Sequence, residues 1–298
     1  MRYLSFLIAA FAVASCTDPV DIASGFEQAQ PVVDAWLTNE SQPQTVNLYL
    51  TQDYFANELP PPLEGATVAL SRTDGSGEPL VFAEAQPGEY VWTPSDLQPR
   101  IGAVGERFVL QVVADFNGGQ VEYAATSEFR RVATIDSISV QLEEQQLGLD
   151  EGLYAQVYAR DLPGTGDRYL IRSTINDTLL NRPSELNVAF DAAFDGGTST
   201  DGIPFILPIR FGINKTDDEG FTQPLVPGDV IEVDIWSLNP AAYEFITNAQ
   251  EQILNGDAQL FSVPVVSTLG NVTNAATGDP ALGMFNLSAV SSARKEVE

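Results

Sequence analysis

Apolar and polar residues alternate with a period of two through much of this chain, and the alternating runs end at glycine, proline, asparagine or aspartate clusters. Residues 32–37 and 45–51 open the series, the second with Val46, Leu48 and Leu50 on one face. Prolines 60–62 break the chain before an alternating run at 66–70, and Asp74-Gly75-Ser76-Gly77 makes a turn. Runs at 80–82, 88–92, 107–113 and 121–125 follow, the last two separated by the hairpin signal Asn117-Gly118-Gly119. Short strands at such regular spacing predict an immunoglobulin-like β-sandwich over residues 31–131. Within it Trp36 and Trp92 are expected to be core anchors.

The pattern restarts near Val132, where a domain boundary is placed. Runs at 135–140, 153–159, 169–173, 206–213 and 230–236 predict a second, antiparallel β-rich domain over 132–298. One amphipathic helix is expected near 240–254. Asn239 can cap it, Pro240 suits its first turn, and Tyr243, Ile246, Ala249, Gln250 and Ile253 run down one side before Asn255-Gly256. This helix and the segment 261–285 are expected to form the packed centre of the second domain. The fold class is therefore mainly β, with one packed helix.

Residues 1–15 depart from that pattern. Arg2 is followed by an apolar run over 4–14, too short for a bilayer core that needs about 20 residues. Val13-Ala14-Ser15 then leads to Cys16, the only cysteine in the chain. The arrangement resembles a bacterial lipobox, whose chemistry attaches lipid to the thiol and cleaves before it. Cys16 is thus the expected lipidation site, 1–15 the signal peptide, and the small polar residues 16–30 a tether. Each buried methylene contributes roughly 0.8 kcal/mol, so two or three acyl chains hold a folded domain firmly on a membrane.

Charge narrows the partners. The chain has 14 basic and 41 acidic residues and a formal charge of −27. Phosphate neutralisation needs clustered Lys and Arg, so nucleic acid is not an expected partner. There is no histidine. That excludes Ser-His-Asp and Cys-His nucleophile systems and histidine-bound metals, leaving carboxylates, hydroxyls, Lys and Arg for chemistry and oxygen-ligated cations for metals.

Several segments in their order resemble one known family. They are residues 32–40, the strand to Thr51, 53–55 and 65–68; Pro87-Gly88-Glu89-Tyr90 and Ile135-Asp136-Ser137-Ile138; then the helix start at 239–243, 261–264, Gly270-Asn271-Val272 and Leu282-Gly283-Met284-Phe285. The family is domain-of-unknown-function family 4249, surface lipoproteins common in the Bacteroidota. The resemblance implies an outer-membrane, lipid-anchored protein on the periplasmic or cell-surface side, of a kind often encoded beside TonB-dependent receptors. It carries over no catalytic residues.

Candidate sites are sparse. Asp191, Asp195, Gly196, Gly197, Thr198 and Asp201 gather oxygens and glycines as a calcium loop would, without the ligand spacing of an EF-hand; solvated turns have the same composition. Tyr54 and Phe55 beside prolines 60–62 are candidates for a partner-binding ledge, and Trp236, ending a strand just before the helix, for lining a crevice. Asp217-Asp218-Glu219-Gly220 reads as a hairpin tip. The expected function is a non-catalytic accessory lipoprotein of a TonB-dependent uptake system that captures or docks a ligand and needs no cofactor. The alternatives are an adhesive or structural envelope protein and a carboxylate-based hydrolase.

Overall fold

A computed structural model describes residues 29–52, 56–146, 148–194, 199–256 and 268–298. Its elements run β1 (Pro31–Thr38), β2 (Gln44–Leu50), β3 (Thr67–Arg72), β4 (Leu80–Gln86), β5 (Glu89–Trp92), β6 (Arg107–Phe116) and β7 (Gly119–Glu128). Next come β8 (Ile135–Glu143), β9 (Gly152–Ala159), β10 (Arg168–Ile175), β11 (Thr178–Leu179), β12 (Asn187–Phe190) and a short helix α1 (Leu207–Phe211). The chain closes with β13 (Val230–Ser237), the long helix α2 (Pro240–Gly256), β14 (Thr273–Asn274), β15 (Leu282–Ser288) and β16 (Val290–Glu296). The fold is mainly β.

The first seven strands form two halves that share strand β4. They lie in one nine-stranded sheet of order β14-β7-β6-β3-β4-β5-β2-β1-β15. Strand β4 makes the corner: Leu80, Val81 and Phe82 pair with β3, whereas Ala83, Glu84 and Gln86 pair with β5 across a bulge. A bulge bends a strand and raises its twist, which lets one strand serve both halves of a curled sheet. The sheet's ends come together, because Arg130 bridges Ser288 and the Leu287 N–H donates to Ser127 Oγ at 3.1 Å. Alternate residues point inward to one core that includes Leu48, Tyr90, Phe108, Leu110, Phe129 and Phe285. Trp92 is in this core; Trp36 is not.

Membership of this sheet crosses the expected boundary at 131/132. β15 returns from the far end of the sequence to run parallel to β1, pairing Val33 with Gly283 and Trp36 with Asn286. Val272, Ala281, Phe285 and Leu287 thereby complete the first core.

The second unit is a sheet of order β11-β10-β13-β16, with β12 also on β10, packed with the β8–β9 hairpin. Tyr169, Ile171, Val233, Ile235, Val157 and Ile209 are buried together there. The strand expected at 206–213 is the helix α1 instead. Pro208 has no N–H to give a sheet ladder but fits a first helical turn, and the Arg210 and Gly212 N–H groups donate to Ile206 and Pro208 carbonyls.

Helix α2 starts where expected, with Asn239 Oδ1 accepting the Ala242 N–H at 2.8 Å. It is not the centre of the second core. Ile246 and Ala242 pack with Val188, Leu238 and Met284 in a smaller third cluster, and Ile253 is 55% exposed. Residues 261–267, the other part of that expectation, lie outside the described residues. After Ala289 the chain passes from β15 directly into β16, so one continuous segment belongs to both sheets.

Candidate functional site

The alternation that builds the two cores also leaves two outer faces, and these meet at the junction of the sheets. On β1, Val33, Ala35 and Leu37 face the first core, which turns Asp34 and Trp36 outward. On β13, Ile231, Val233 and Ile235 face the second core, so Asp234 and Trp236 turn away. On β10, Tyr169 and Ile171 point in and Leu170 and Arg172 out. Leu170 pairs with Trp236 and Arg172 with Asp234 across the β10–β13 ladder.

Helix α2 closes over this junction and leaves an apolar crevice of about 320 Å³, lined by Trp36, Leu170, Arg172, Trp236, Phe245 and Ile246 among others. A polar cavity of about 280 Å³ adjoins it, with Asp34, Gln44 and Asn47 in its walls. Trp36, Arg172 and Trp236 line both. The helix is tied down where Gln250 Nε2 donates to the Pro183 and Leu186 carbonyls, at 2.8 and 3.1 Å.

The electrostatics of this junction are those of a half-buried mixed site. The Arg172 guanidinium stands 4.3 Å from the centroid of the Trp236 ring, a cation–π distance. Burial pulls the Arg172 pKa down and Asp234 opposes it. Burial pushes the Asp34 carboxyl up, against side-chain hydrogen bonds with Asn47 and Trp36. Trp236 Nε1 is buried without a hydrogen-bond partner. Trp36 and Phe245 lie 6.4 Å apart, tilted at 54°. Aromatic faces beside one cation, a carboxylate and amides suit a compact ligand with an apolar body and a polar or anionic end.

Of the expected site residues, Trp236 lines the crevice, as the strand-before-helix position suggests. Cys16, Tyr54, Phe55 and Asp195 lie outside the described residues. The turn at 217–220 closes with Asp217 N–H on the Phe221 carbonyl and Gly220 N–H on the Asp217 carbonyl. Asp201 Oδ1 accepts the Gly164 N–H at 2.7 Å, while Asp191 joins two other carboxylates, Asp161 and Asp167.

Those two carboxylates were not singled out by the pattern, although Asp161-Leu162-Pro163-Gly164-Thr165-Gly166-Asp167 is a compact acidic turn between two strong strands. One oxygen from each of Asp161, Asp167 and Asp191 lies within 4.8 Å of the others. All three are buried, at 1%, 6% and 0% exposure. Arg131 grips both oxygens of Asp167, at 2.9 and 2.6 Å. Burial nonetheless pushes the Asp167 pKa up, with the Asp161 and Asp191 charges adding to it and Arg131 opposing. Tyr169 donates to Asp161 Oδ1 at 2.7 Å, and burial, then that bond, drives the phenol's pKa far up.

The family model described as "Domain of unknown function (DUF4249)" matches residues 17–294. The chain belongs to this family. The parallel β1–β15 pairing lies within the matched span. No curated protein matches the sequence at a significant level. Among solved structures, the chain is similar to one described as "Crystal structure of tetra-tandem repeat in extending region of large adhesion protein". The two are 12% identical with a TM-score of 0.23, over 91% of this chain and 50% of that one, so the chain spans half the length of that structure. No helix among the described residues is long and apolar enough to cross a membrane.

Proposed function

We propose that this protein is a non-catalytic, lipid-anchored envelope protein that captures a compact ligand for a TonB-dependent outer-membrane transporter. The observation that supports capture is the junction crevice, where Trp36 and Trp236 frame an apolar space and Arg172 links it to a polar one. The single cysteine after the apolar leader supports the anchor. Such a protein holds its ligand beside the transporter and needs neither a nucleophile nor a redox group.

The test uses the full chain in its native host. Cys16→Ser should release it from membranes, and affinity capture of the lipidated wild type from gently solubilised membranes should recover a TonB-dependent barrel at near-equal amount. Trp36→Ala with Trp236→Ala should keep the barrel and lose the small-molecule ligand that native mass spectrometry finds on the wild type. Recovery without any barrel would refute the uptake reading and leave an adhesive or structural role.

A further inference from the structure

We propose that Asp161, Asp167 and Asp191 form a binding site for one calcium ion, which ties the β9–β10 loop to the residue that follows β12. Asp161 and Asp167 sit at either end of that loop and Asp191 follows Phe190, so three separate points of the chain converge.

The first argument is charge. Three buried carboxylates meet a single guanidinium in this cluster, because the ion pair made there is Arg131 with Asp167. Asp161 and Asp191 make no ion pair of their own among the described residues, and a buried carboxylate without a counter-charge is disfavoured. A divalent cation brings the group to neutrality.

The second argument is a single atom. Five of the six carboxylate oxygens accept hydrogen bonds: Asp161 Oδ1 from Tyr169 and Oδ2 from Gly202 N–H at 3.0 Å, both Asp167 oxygens from Arg131, and Asp191 Oδ1 from the Gly166 and Asp167 N–H groups at 2.7 and 2.9 Å. Asp191 Oδ2 is buried and has none. An orphaned buried acceptor calls for a ligand, since leaving it bare forfeits the hydration it had in the unfolded chain. Here the missing partner is of the kind the neighbouring carboxylates also want.

The third is size. Calcium takes oxygens at roughly 2.3–2.6 Å, so two ligands on opposite sides of one ion are up to about 5 Å apart. One oxygen from each aspartate, all within 4.8 Å of one another, falls inside that reach. Magnesium requires a tighter, near-octahedral set and gives up water reluctantly. Carboxylates already pinned by Arg131, Tyr169 and backbone N–H groups are poorly placed to rearrange for it. Their free lone pairs remain available to the larger ion.

Terbium, which takes calcium's place and is excited through nearby tyrosine, reads the site directly because Tyr169 touches Asp161. The full chain in detergent is titrated in 0.5 M NaCl, which screens its acidic surface. One equivalent of terbium should give tyrosine-sensitised emission that calcium displaces and equimolar magnesium does not. Calcium at a hundredfold excess over its Kd should raise the melting temperature by roughly 5 °C over the EDTA-treated protein. Asp191→Asn keeps an oxygen for the Gly166 and Asp167 N–H groups and should abolish both responses. Tyr169→Phe should lose the emission and keep the calcium-dependent rise. Absence of sensitised emission from the wild type overturns the proposal, as does a calcium response that survives in Asp191→Asn. Should Asp191→Asn fail to fold, undiminished emission from Tyr169→Phe overturns it instead, because the ion is then elsewhere.

Discussion

Adding one methyl group at Gly283 should destabilise the protein far more than adding one at Gly278, although the two lie five residues apart and both have positive φ. Gly283 sits in β15 at φ +93°, and a Cβ there would stand 2.1 Å from the Val33 carbonyl oxygen on β1. Gly278 has φ +77° and nothing within 4 Å of its Cβ position. Left-handed backbone costs a residue with a side chain roughly 1–2 kcal/mol, and Gly278→Ala should lose about that much and no more. Gly283→Ala incurs the same cost. In addition, β15 and β1 must separate by about 1 Å to restore ordinary contact, which breaks one or two ladder hydrogen bonds at about 1 kcal/mol each and loosens the packing of Phe285 beneath them. The sum is about 3–5 kcal/mol. Urea titration of both variants, followed by the fluorescence of the chain's three tryptophans, measures the difference. A Gly283→Ala loss within 0.5 kcal/mol of that for Gly278→Ala, using about the spread of a neutral surface change as the yardstick, would mean that β15 does not pack on β1 as described.

Ile246→Ala should cost about 2–3 kcal/mol in the same titration, the lower part of the range for buried isoleucine, because its side chain borders an open crevice rather than a sealed core; no loss would place α2 off the protein body. Asp34 has a raised pKa when folded, so the folded state holds its proton more tightly and stability falls as pH climbs from the ordinary carboxylate value of about 3.9 through the raised one. Asp34→Asn should therefore be more stable than wild type at pH 7 and level with it near pH 3; melts giving a pH-independent difference would contradict the burial argument.

Much of the strand content was legible because alternation is a local property. The seven runs up to residue 125 all became strands, and the Asn239 cap held because an asparagine before a Pro at the first turn is a local signal too. Two kinds of feature escaped. The fate of 206–213 turned on Pro208, which an apolar run disguises. The parallel pairing of β15 with β1 joins residues some 250 positions apart, and no local pattern encodes such a partner. Trp36 illustrates the same limit in reverse. It was expected in the core with Trp92, but it lies on the Asp34 face of β1, opposite Val33 and Leu37, and what covers it there comes from the second sheet and the helix. For the aspartates, Asp191 was legible as a polar loop residue, but its partners Asp161 and Asp167 come from a turn that only the β10–β12 pairing brings alongside.

The junction that carries the crevice is held by amides as well as by its apolar cluster. Asn239 N–H donates to Asn286 Oδ1 at 2.9 Å, Asn239 Nδ2 reaches Ser127 Oγ and the Phe285 carbonyl, and Asn286 Nδ2 reaches the Ser237 carbonyl and Ser288 Oγ. Ser237 Oγ donates to the Arg130 carbonyl and accepts from the Ala289 N–H. Such bonds add little net stability each, but any other placement of the two sheets would leave several buried donors unsatisfied, so they select one geometry. Trp36 belongs to the first sheet and Arg172 and Trp236 to the second. A ligand that touches all three binds only when both sheets are docked, and must therefore stabilise that docked arrangement by its own binding free energy. Trp36 pairs with Asn286 on β15 and Trp236 with Val290 on β16, so the continuous β15–β16 segment couples the two walls of the crevice. Filling the crevice should thus be felt where β15 meets β7, the buried seam at which the first sheet closes.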